Sequence, residues 1–350
     1  MGGVWWRGAF GCVLALALTG ASPVVAQTKT LAELLAYKGK DREALLLAGA
    51  KKEGGFYSYT SQPAEDVRAL VEAFEKKYGV KANIWRGGSE DVVQKTVAEA
   101  RAGRNLVDVV SSNGTDMTAL VREGLMQQLD SPHFADLIPG ALPKHRQWVA
   151  MELQPFLQAY NTNLVQKDIL PKKWEDLLDP RWKGRITVEY DDADWFSEVV
   201  EELGEAKGLK LFADIVAKNG LTARKGHSLL GNLVASGEAP LALTVYLSSV
   251  AQLIKADAPV DWFVIEPLVA RPAGIGILKN APHPYAAALY VDFITSDAQE
   301  MLLNRGGVPV ASYLDSPIKG IPMRLIEPDV SSDRLAKWQD IYRKLVGGRK

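Results

Sequence analysis

Short apolar strands alternate with amphipathic helices from residue 54 onward, and this alternation limits the chain to a small number of α/β folds. Residues 55–59 predict a strand, and apolar residues recur at helical spacing over residues 67–74. Further strands are predicted over residues 80–85 and 106–111, each followed by a helical segment. Strand, helix and strand joined by short links indicate a parallel sheet with right-handed crossovers.

A second series of the same kind follows a middle stretch, residues 147–161, which predicts extended chain without a helical period. This series begins with a strand over residues 185–190 and continues through two predicted helices to a strand over residues 240–245. We therefore expect an α/β fold of two lobes, each a mixed, mainly parallel sheet flanked by helices. Crossing strands would form a hinge between the lobes, with a cleft beside it.

The N-terminus has the pattern of a secretory signal. Arg7 is the single charge ahead of an apolar run over residues 9–18, and small residues lead to a cleavage signature at residues 24–26. The run is shorter than the roughly 20 residues that a membrane-spanning helix needs, so a retained anchor is disfavoured. We expect residues 1–26 to be removed on export to the periplasm, and the mature chain to start at Gln27.

The remaining length suits two lobes of ordinary size rather than one core. We expect residues 27–150 to form the first segment of lobe 1 and residues 151–270 to form lobe 2. Residues 271–350 would return to lobe 1 and add C-terminal helices.

Composition excludes several classes of function. The chain has 41 basic and 42 acidic residues, and removal of Arg7 leaves 40 against 42, a formal net charge of −2. A nucleic-acid binder normally has a basic face, so no nucleic-acid partner is expected. The only cysteine, Cys12, lies in the predicted signal, which leaves the mature chain without disulfides or thiolate chemistry.

Four segments carry a family pattern in a characteristic order: residues 159–165 (AYNTNLV), 174–186 (WEDLLDPRWKGRI), 233–244 (LVASGEAPLALT) and 281–310 (APHPYAAALYVDFITSDAQEMLLNRGGVPV). Together they resemble the family-1 extracellular solute-binding proteins, in the branch that includes ferric-iron, thiamine and aminoethylphosphonate receptors. The resemblance spans essentially the whole mature chain. It implies a type II periplasmic binding protein fold, a monomer without a cofactor, and hinge closure on a small solute that is delivered to the permease of an ABC importer.

Ligands of open α/β sheets bind beyond the carboxyl ends of the strands. Five predicted loops occupy such positions, at residues 60–62, 86–90, 111–115, 191–195 and 244–248. The candidate ligand-binding residues from these loops and their surroundings are Ser61, Gln62, Arg86, Ser89, Ser112, Asn113, Trp195, Arg224, Thr244 and Tyr246.

Most of these candidates have a purely structural alternative. Ser89 and Thr115 stand at predicted helix starts, which bind oxyanions but far more often are simply capped. Arg86 and Arg224 could pair with an anionic ligand, although surface exposure is the commoner fate of arginine. Trp195 could stack on a planar ligand or pack a helix against the core.

The resemblance places a ligand contact near Tyr246, where ferric-binding relatives have adjacent tyrosines, commonly with a histidine and a carboxylate. Here Tyr246 lies between Val245 and Leu247, residues 111–113 contain no acid, and residues 62–63 contain no histidine. Fe(III) prefers anionic oxygen donors, so these loops predict poor iron binding and no metal ligands are assigned.

The loops predict instead a small polar or oxyanionic organic solute, because they are rich in hydroxyls and poor in carboxylates. Ferric iron held by an unusual set drawn from Tyr160, Tyr190 or Asp192 is the alternative.

Enzymatic function has little support in the sequence. The motifs GxSxG, HExxH and GxxxxGK[ST] do not occur, and the four histidines are scattered without metal-ligand spacing. The acids Asp191, Asp192 and Asp194 predict a solvated turn rather than an acid/base pair. No catalytic residues are therefore assigned, and a periplasmic hydrolase is the weakest alternative.

Overall fold

In the computed structural model, residues 1–3, 30–329 and 332–347 are described. The predicted cleavage site and the mature start at Gln27 lie outside these ranges, so the export signal stays a prediction. Among the described helices, none combines the length and the apolar character needed to cross a membrane.

Helices and strands alternate along the described chain. The helices are α1 (Leu31–Ala36), α2 (Arg42–Glu53), α3 (Ala64–Tyr78), α4 (Ser89–Arg101), α5 (Gly114–Arg122), α6 (Ala193–Glu202), α7 (Glu205–Asn219), α8 (His227–Ser236), α9 (Leu247–Lys255), α10 (Pro284–Ile294), α11 (Asp297–Asn304) and α12 (Ser332–Val346). The strands are β1 (Gly55–Thr60), β2 (Lys81–Arg86), β3 (Val109–Asn113), β4 (Val149–Asn161), β5 (Ile186–Glu189), β6 (Thr222–Arg224), β7 (Leu241–Tyr246), β8 (Val260–Phe263), β9 (Leu268–Ile277), β10 (Val308–Pro309) and β11 (Met323–Leu325).

One sheet runs through the molecule in the order β2-β1-β3-β9-β4-β7-β5-β6, with β8, β10 and β11 paired at its side. At one end β1 is parallel to β2 and β3, and at the other end β5 is parallel to β6 and β7. The central strands β4 and β9 are antiparallel to each other and to β7 and β3. The prediction of two α/β halves around a strand-rich middle is confirmed. We call the half around β1–β3 lobe 1 and the half around β5–β7 lobe 2.

The two long central strands connect the lobes. Strand β4 pairs with β9 from Val149 to Phe156, and from Phe156 onward it pairs with β7 and β8 of lobe 2. All of β4 is buried, including the polar side chains of Glu152, Gln154, Gln158 and Asn161. Strand β11 adds a third crossing, because it pairs with the first residues of β9 on its way to α12. These strands form the hinge region.

Lobe 1 buries an aromatic cluster on one face of its sheet. The ring of Phe56 in β1 lies 5.7 Å from that of Phe74 in α3 and 4.7 Å from that of Tyr290 in α10, between centroids. Residues 286–294 of α10 are all buried, which explains why this helix is apolar on every side. The C-terminal segment that contains α10 and α11 therefore completes the core of lobe 1.

Lobe 2 has an aromatic core of its own. The ring of Trp174 lies 5.6 Å from that of Trp195 and 5.8 Å from that of Phe212. The last described helix, α12, covers this core, and the rings of Tyr342 and Phe196 lie 5.3 Å apart between centroids. Burying one large apolar side chain contributes about 1.5–3 kcal/mol, so this packing holds α12 on lobe 2. The residue boundaries proposed for the two lobes stay a prediction.

Two helix starts differ from the sequence prediction by one residue. Helix α4 is capped at Gly88, whose N–H donates to the Asp91 carboxylate at 3.1 Å, and Ser89 is the first helical residue. Helix α5 is capped by Asn113, whose side-chain oxygen accepts from the Asp116 N–H at 2.9 Å. Both caps lie closer to the preceding strand than expected, because their short links leave no room for another turn.

Candidate functional site

A cavity of about 860 Å³ lies between the lobes, beyond the carboxyl ends of their parallel strands. Its walls come from the loops after β1, β2 and β3 in lobe 1, and after β5, β6 and β7 in lobe 2. The hinge strands contribute Gln154 and Arg271, and α12 contributes Gln339, Tyr342 and Arg343. The structure thus brings all five predicted loops to one cleft.

The wall in lobe 1 is built from neutral polar groups around the first strand. The Ser61 hydroxyl lies 3.0 Å from the Ser112 hydroxyl, and Gln154 donates to the Gln62 side-chain oxygen at 2.9 Å. Arg86 donates from Nε to the Gln62 carbonyl at 2.7 Å, which holds its guanidinium at the rim of the cleft. These bonds hold the wall in a fixed geometry without a ligand.

A carboxylate that the sequence analysis missed stands beside these groups. The Asp116 carboxylate accepts from the Ser112 hydroxyl and from the Asn113 amide, each at 2.8 Å. Helical side chains tilt toward the helix N-terminus, so an acid in the first turn of α5 points back over the loop. Burial raises the pKa of Asp116, although the Ser112 hydrogen bond opposes this. Residues 111–113 themselves contain no acid, but the first turn of α5 brings the Asp116 carboxylate to the same loop.

The wall in lobe 2 is organised by Glu189. Its carboxylate accepts backbone N–H groups from Asp191 and from Gly226, the latter at 2.9 Å, and so joins the loops after β5 and β6. Its own N–H donates to the buried Thr244 hydroxyl at 2.9 Å. Burial and the nearby Asp192 carboxylate raise the pKa of Glu189 to about 7.

The cleft floor holds a cluster centred on Arg271 of β9. The guanidinium donates to Asp194 at 3.1 Å, lies 3.7 Å from an Asp192 oxygen, and contacts the Tyr246 hydroxyl. The ring of His227 stacks on Tyr246 with centroids 3.8 Å apart and places Nε2 3.3 Å from the same Asp192 oxygen. Asp192 is fully buried and Arg271 is 13% exposed, so these charges compensate one another away from water.

This cluster corrects the prediction of a solvated turn at residues 191–194. Asp191 is exposed, but Asp192 and Asp194 turn inward because the buried guanidinium of Arg271 requires acidic partners. Burial and the Asp192 carboxylate hold the pKa of Tyr246 well above its ordinary value, although Arg271 acts in the opposite direction. Burial lowers the pKa of His227, but Asp192 more than offsets that effect and the net shift is upward.

Six of the ten predicted residues line the cleft: Ser61, Gln62, Arg86, Ser89, Asn113 and Tyr246. Ser112 and Thr244 lie directly behind the wall, fully buried, and hold Asp116 and Glu189 in place. Arg224 is exposed on β6 outside the wall, 3.7 Å from Glu238. Trp195 is 1% exposed in the core of lobe 2, so a stacking role toward the ligand is not supported.

We expect Trp195→Phe to change stability without changing ligand affinity. The smaller ring leaves a cavity between Trp174 and Phe212, which should cost about 1–3 kcal/mol of unfolding free energy. Urea unfolding and calorimetry on the same preparation measure the two quantities. A large loss of affinity with unchanged stability would contradict the core assignment.

The wall residues that come from distant elements were not predicted from the sequence. His227 follows β6, a strand of three partly exposed residues without a usable apolar pattern. Arg271 lies in the first half of β9, where a charged residue followed by a proline weakens the sequence pattern of a strand. Helix α12 does show its buried face in the spacing of Trp338, Tyr342 and Val346, but that spacing does not reveal which lobe it covers.

Residues 58–301 match the model of a family described as bacterial extracellular solute-binding protein. The Fe(3+)-binding periplasmic protein of Serratia marcescens is 30% identical over 192 residues, covering 54% of this chain and 56% of that protein. This chain therefore matches little more than half the length of the Serratia relative.

Solved structures resemble the whole two-lobed body. Iron-bound HitA from Pseudomonas aeruginosa superposes with a TM-score of 0.71 at 19% identity, over 83% of this chain and 99% of that chain. AfuA from Actinobacillus pleuropneumoniae, with fructose-6-phosphate bound, gives a TM-score of 0.68 at 23% identity, over 84% and 97%. The type II periplasmic binding protein fold implied by the sequence resemblance is confirmed.

Proposed function

The chain belongs to the family of bacterial extracellular solute-binding proteins, and from this premise we propose that it is the ligand receptor of an ABC-type importer. It captures a small polar organic solute in the cleft and delivers it, chemically unchanged, to a membrane permease. We propose further that the receptor acts as a monomer in the periplasm, after removal of residues 1–26.

The observation that carries this proposal is the shared construction of the cleft. Both lobes contribute loops from the carboxyl ends of parallel strands, and the hinge strands form the floor. A solute that touches both walls stabilises the closed arrangement relative to the open one, because only the closed form makes both sets of contacts. The permease then distinguishes a loaded receptor from an empty one by its shape.

The chemistry of the walls favours a solute with both donors and acceptors. Carboxylates and cations line the cavity together: Glu90, Asp91, Asp116, Glu189, Asp191 and Asp192, against Arg86, Lys225, Arg271 and Arg343. A simple inorganic oxyanion would be repelled by the carboxylates that both lobes contribute to the cavity. An anionic substituent would pair with the Arg86 guanidinium at the rim of the cleft.

Ferric iron is the second candidate, because Glu189, Asp192 and His227 bring possible ligand atoms within 4.8 Å of one another beside Tyr246. Several observations weigh against it. Each oxygen of the Glu189 carboxylate already accepts a backbone N–H group. The Arg271 guanidinium occupies the space beside Tyr246 and Asp192. The raised pKa of Tyr246 also opposes the tyrosinate that Fe(III) prefers. A tyrosinate-to-iron absorption band in purified protein, abolished by Tyr246→Phe, would establish iron instead.

Thermal unfolding in the presence of solutes tests the proposed function. A panel of amino acids, polyols, organic acids, sugar phosphates, polyamines and ferric citrate should contain at least one strong stabiliser. At one hundred times its dissociation constant, a solute adds about 2.7 kcal/mol to the unfolding free energy. Mass analysis after long incubation should recover that solute intact. Its conversion into a product would refute a transport role and favour a periplasmic hydrolase.

Variants on the two walls test whether the solute bridges the lobes. We expect Ser61→Ala and Tyr246→Phe each to weaken calorimetric binding by about 0.5–1.5 kcal/mol, the usual worth of one neutral hydrogen bond. Tyr160→Phe is the matched control, because the Tyr160 hydroxyl bonds Asp261 and lies outside the cleft wall. If both cleft variants bind as tightly as the control, the solute does not bind between these walls.

A further inference from the structure

Helix α9 follows β7 and packs beside α8, so it belongs to lobe 2, but one of its faces contacts lobe 1. This face is formed by residues at helical spacing, Ser248, Ala251, Gln252 and Lys255. Lys255 donates from Nζ to the Asn304 carbonyl at the end of α11, at 2.5 Å. Gln252 donates from Nε2 to the Asp66 carboxylate of α3 at 3.2 Å. Both acceptors belong to lobe 1, so α9 joins the two lobes at a place outside the hinge strands.

Gly306, between α11 and β10, lets the two surfaces approach closely. A Cβ atom at this position would lie 2.4 Å from the Ala251 Cβ atom and 3.5 Å from the Ser248 Cα atom. The first distance is far below the 3.5–4.0 Å or so at which carbon atoms pack. The φ angle of Gly306 is +87°, a conformation that glycine adopts without steric cost. The glycine therefore allows α9 to rest directly on the backbone of lobe 1.

The Asp66 carboxylate is held in place from its own lobe. Arg305 donates from Nε to Asp66 Oδ1 at 2.7 Å, and the same oxygen accepts from Gln252. Asp66 is 6% exposed, and the guanidinium compensates its charge away from water. The acceptor is thus fixed within lobe 1, and Gln252 is the group that brings the second lobe to it.

The contact lies along the two segments that form opposite walls of the cleft. Gln62 and Tyr246 line the cavity, and Asp66 and Gln252 follow them shortly afterwards in α3 and α9 without lining it. Because each helix begins at its own wall, the walls cannot separate at Gln62 and Tyr246 without drawing Asp66 away from Gln252. Opening of the lobes therefore breaks this hydrogen bond, and closure restores it.

We propose that this face of α9 is a clasp that stabilises the closed arrangement of the lobes in the absence of a solute. The clasp does not touch the solute. It raises the population of the closed receptor, and a solute that requires the closed form binds in proportion to that population. The inference rests on the lobe closure of the proposed function and names the residues outside the cavity that control it.

Gln252→Met tests the clasp, because it removes the amide donor and keeps most of the side-chain length. Loss of one hydrogen bond should lower the closed-to-open ratio of the unliganded chain about 2- to 12-fold. Gln128→Met is the matched control, since it makes the same change at an exposed position of lobe 1. Ala251→Leu tests the clasp without removing a hydrogen bond, because the larger side chain meets Gly306 and should force the two surfaces apart.

Energy transfer between two dyes measures the closed-to-open ratio. The only cysteine, Cys12, lies in the predicted signal, so the mature chain accepts dyes at Ala98→Cys in α4 and Asn232→Cys in α8. Both positions are exposed, neither lines the cavity, and their helices begin on opposite walls of the cleft. We expect energy transfer without solute to fall in Gln252→Met and in Ala251→Leu, and to stay unchanged in Gln128→Met.

Unchanged energy transfer in both α9 variants would overturn the clasp and leave the solute-binding function intact. An equal fall in Gln128→Met would overturn it as well, because the effect would not then come from the contact between the lobes. The measurement needs no solute, so the two proposals fail separately. Absence of any stabilising solute from the thermal panel would defeat the proposed function whatever the dyes report.

Discussion

Replacing Arg271 with methionine is expected to lower the unfolding free energy by about 3–5 kcal/mol, because it leaves the Asp194 carboxylate without a cation and Asp192 with only His227 beside it. Methionine preserves much of the side-chain volume against Phe156, over whose ring the guanidinium lies at 5.0 Å. The charge therefore accounts for most of the loss. Urea unfolding at neutral pH measures it, and the stabilisation by a bound solute should fall in the same variant.

Two further variants show whether the loss of charge balance causes the lower unfolding free energy of Arg271→Met. Lys225→Met removes an exposed cation at the cleft rim, 3.6 Å from Asp191, and should change stability by less than about 0.5 kcal/mol. Combining Arg271→Met with Asp194→Asn should recover part of the loss, since one unpaired charge disappears. A single Arg271→Met variant as stable as the natural chain would mean that the two carboxylates are not held charged in this cluster.

Glu152→Gln is expected to become progressively more stable than the natural chain as the pH rises from about 5 to 8. Burial in the hinge strand β4 and the nearby Asp66 carboxylate raise the pKa of Glu152 from 4.5 to about 8, although a hydrogen bond from Gln154 opposes this. Between these values the folded state holds a proton that the unfolded state has lost. The natural chain therefore loses about 1.4 kcal/mol of stability per pH unit through this group.

Glutamine keeps the shape of the side chain and does not titrate, so the difference between the two proteins isolates this one proton. Urea unfolding at four pH values across the window measures its slope. Glu72→Gln, on the exposed face of α3, is the matched control and should track the natural chain at every pH. A constant difference between Glu152→Gln and the natural chain would mean that the hinge glutamate is ionised throughout.

The fold was largely predictable because its signals are local. Strands β1 and β7 follow apolar runs bounded by turns, and they were predicted within one residue of their observed ends. The hinge was predictable only as a strand-rich stretch, since β4 is buried on both faces and even its polar residues, such as Glu152 and Gln154, are buried. Its pairing with β9, more than a hundred residues away, depends on tertiary contacts that no local pattern encodes.

The cleft residues were predictable where they lie in loops that directly follow strands. They were not predictable where they belong to helices or to the hinge strands. Ser61, Asn113 and Tyr246 were located because the carboxyl ends of strands mark the binding edge of such a sheet. Asp116 was missed because its position depends on the backward tilt of one helical side chain. Arg271 was missed because its partners, Asp192 and Asp194, lie more than seventy residues earlier in lobe 2 and meet it only in the folded chain.

The helices that cover the two cores, α10, α11 and α12, come late in the sequence, and this determines when each lobe can complete its packing during synthesis. Lobe 1 needs α10 and α11 to bury Phe56 and Phe74, and lobe 2 needs Trp338 and Tyr342 of α12 over its aromatic core. A polypeptide emerges N-terminus first, so the strands of both halves are synthesised long before the segments that shield them. Each half reaches its final packing only after its own covering helices have been synthesised. Lobe 1 can therefore complete its core once α11 has emerged, whereas lobe 2 can do so only after α12.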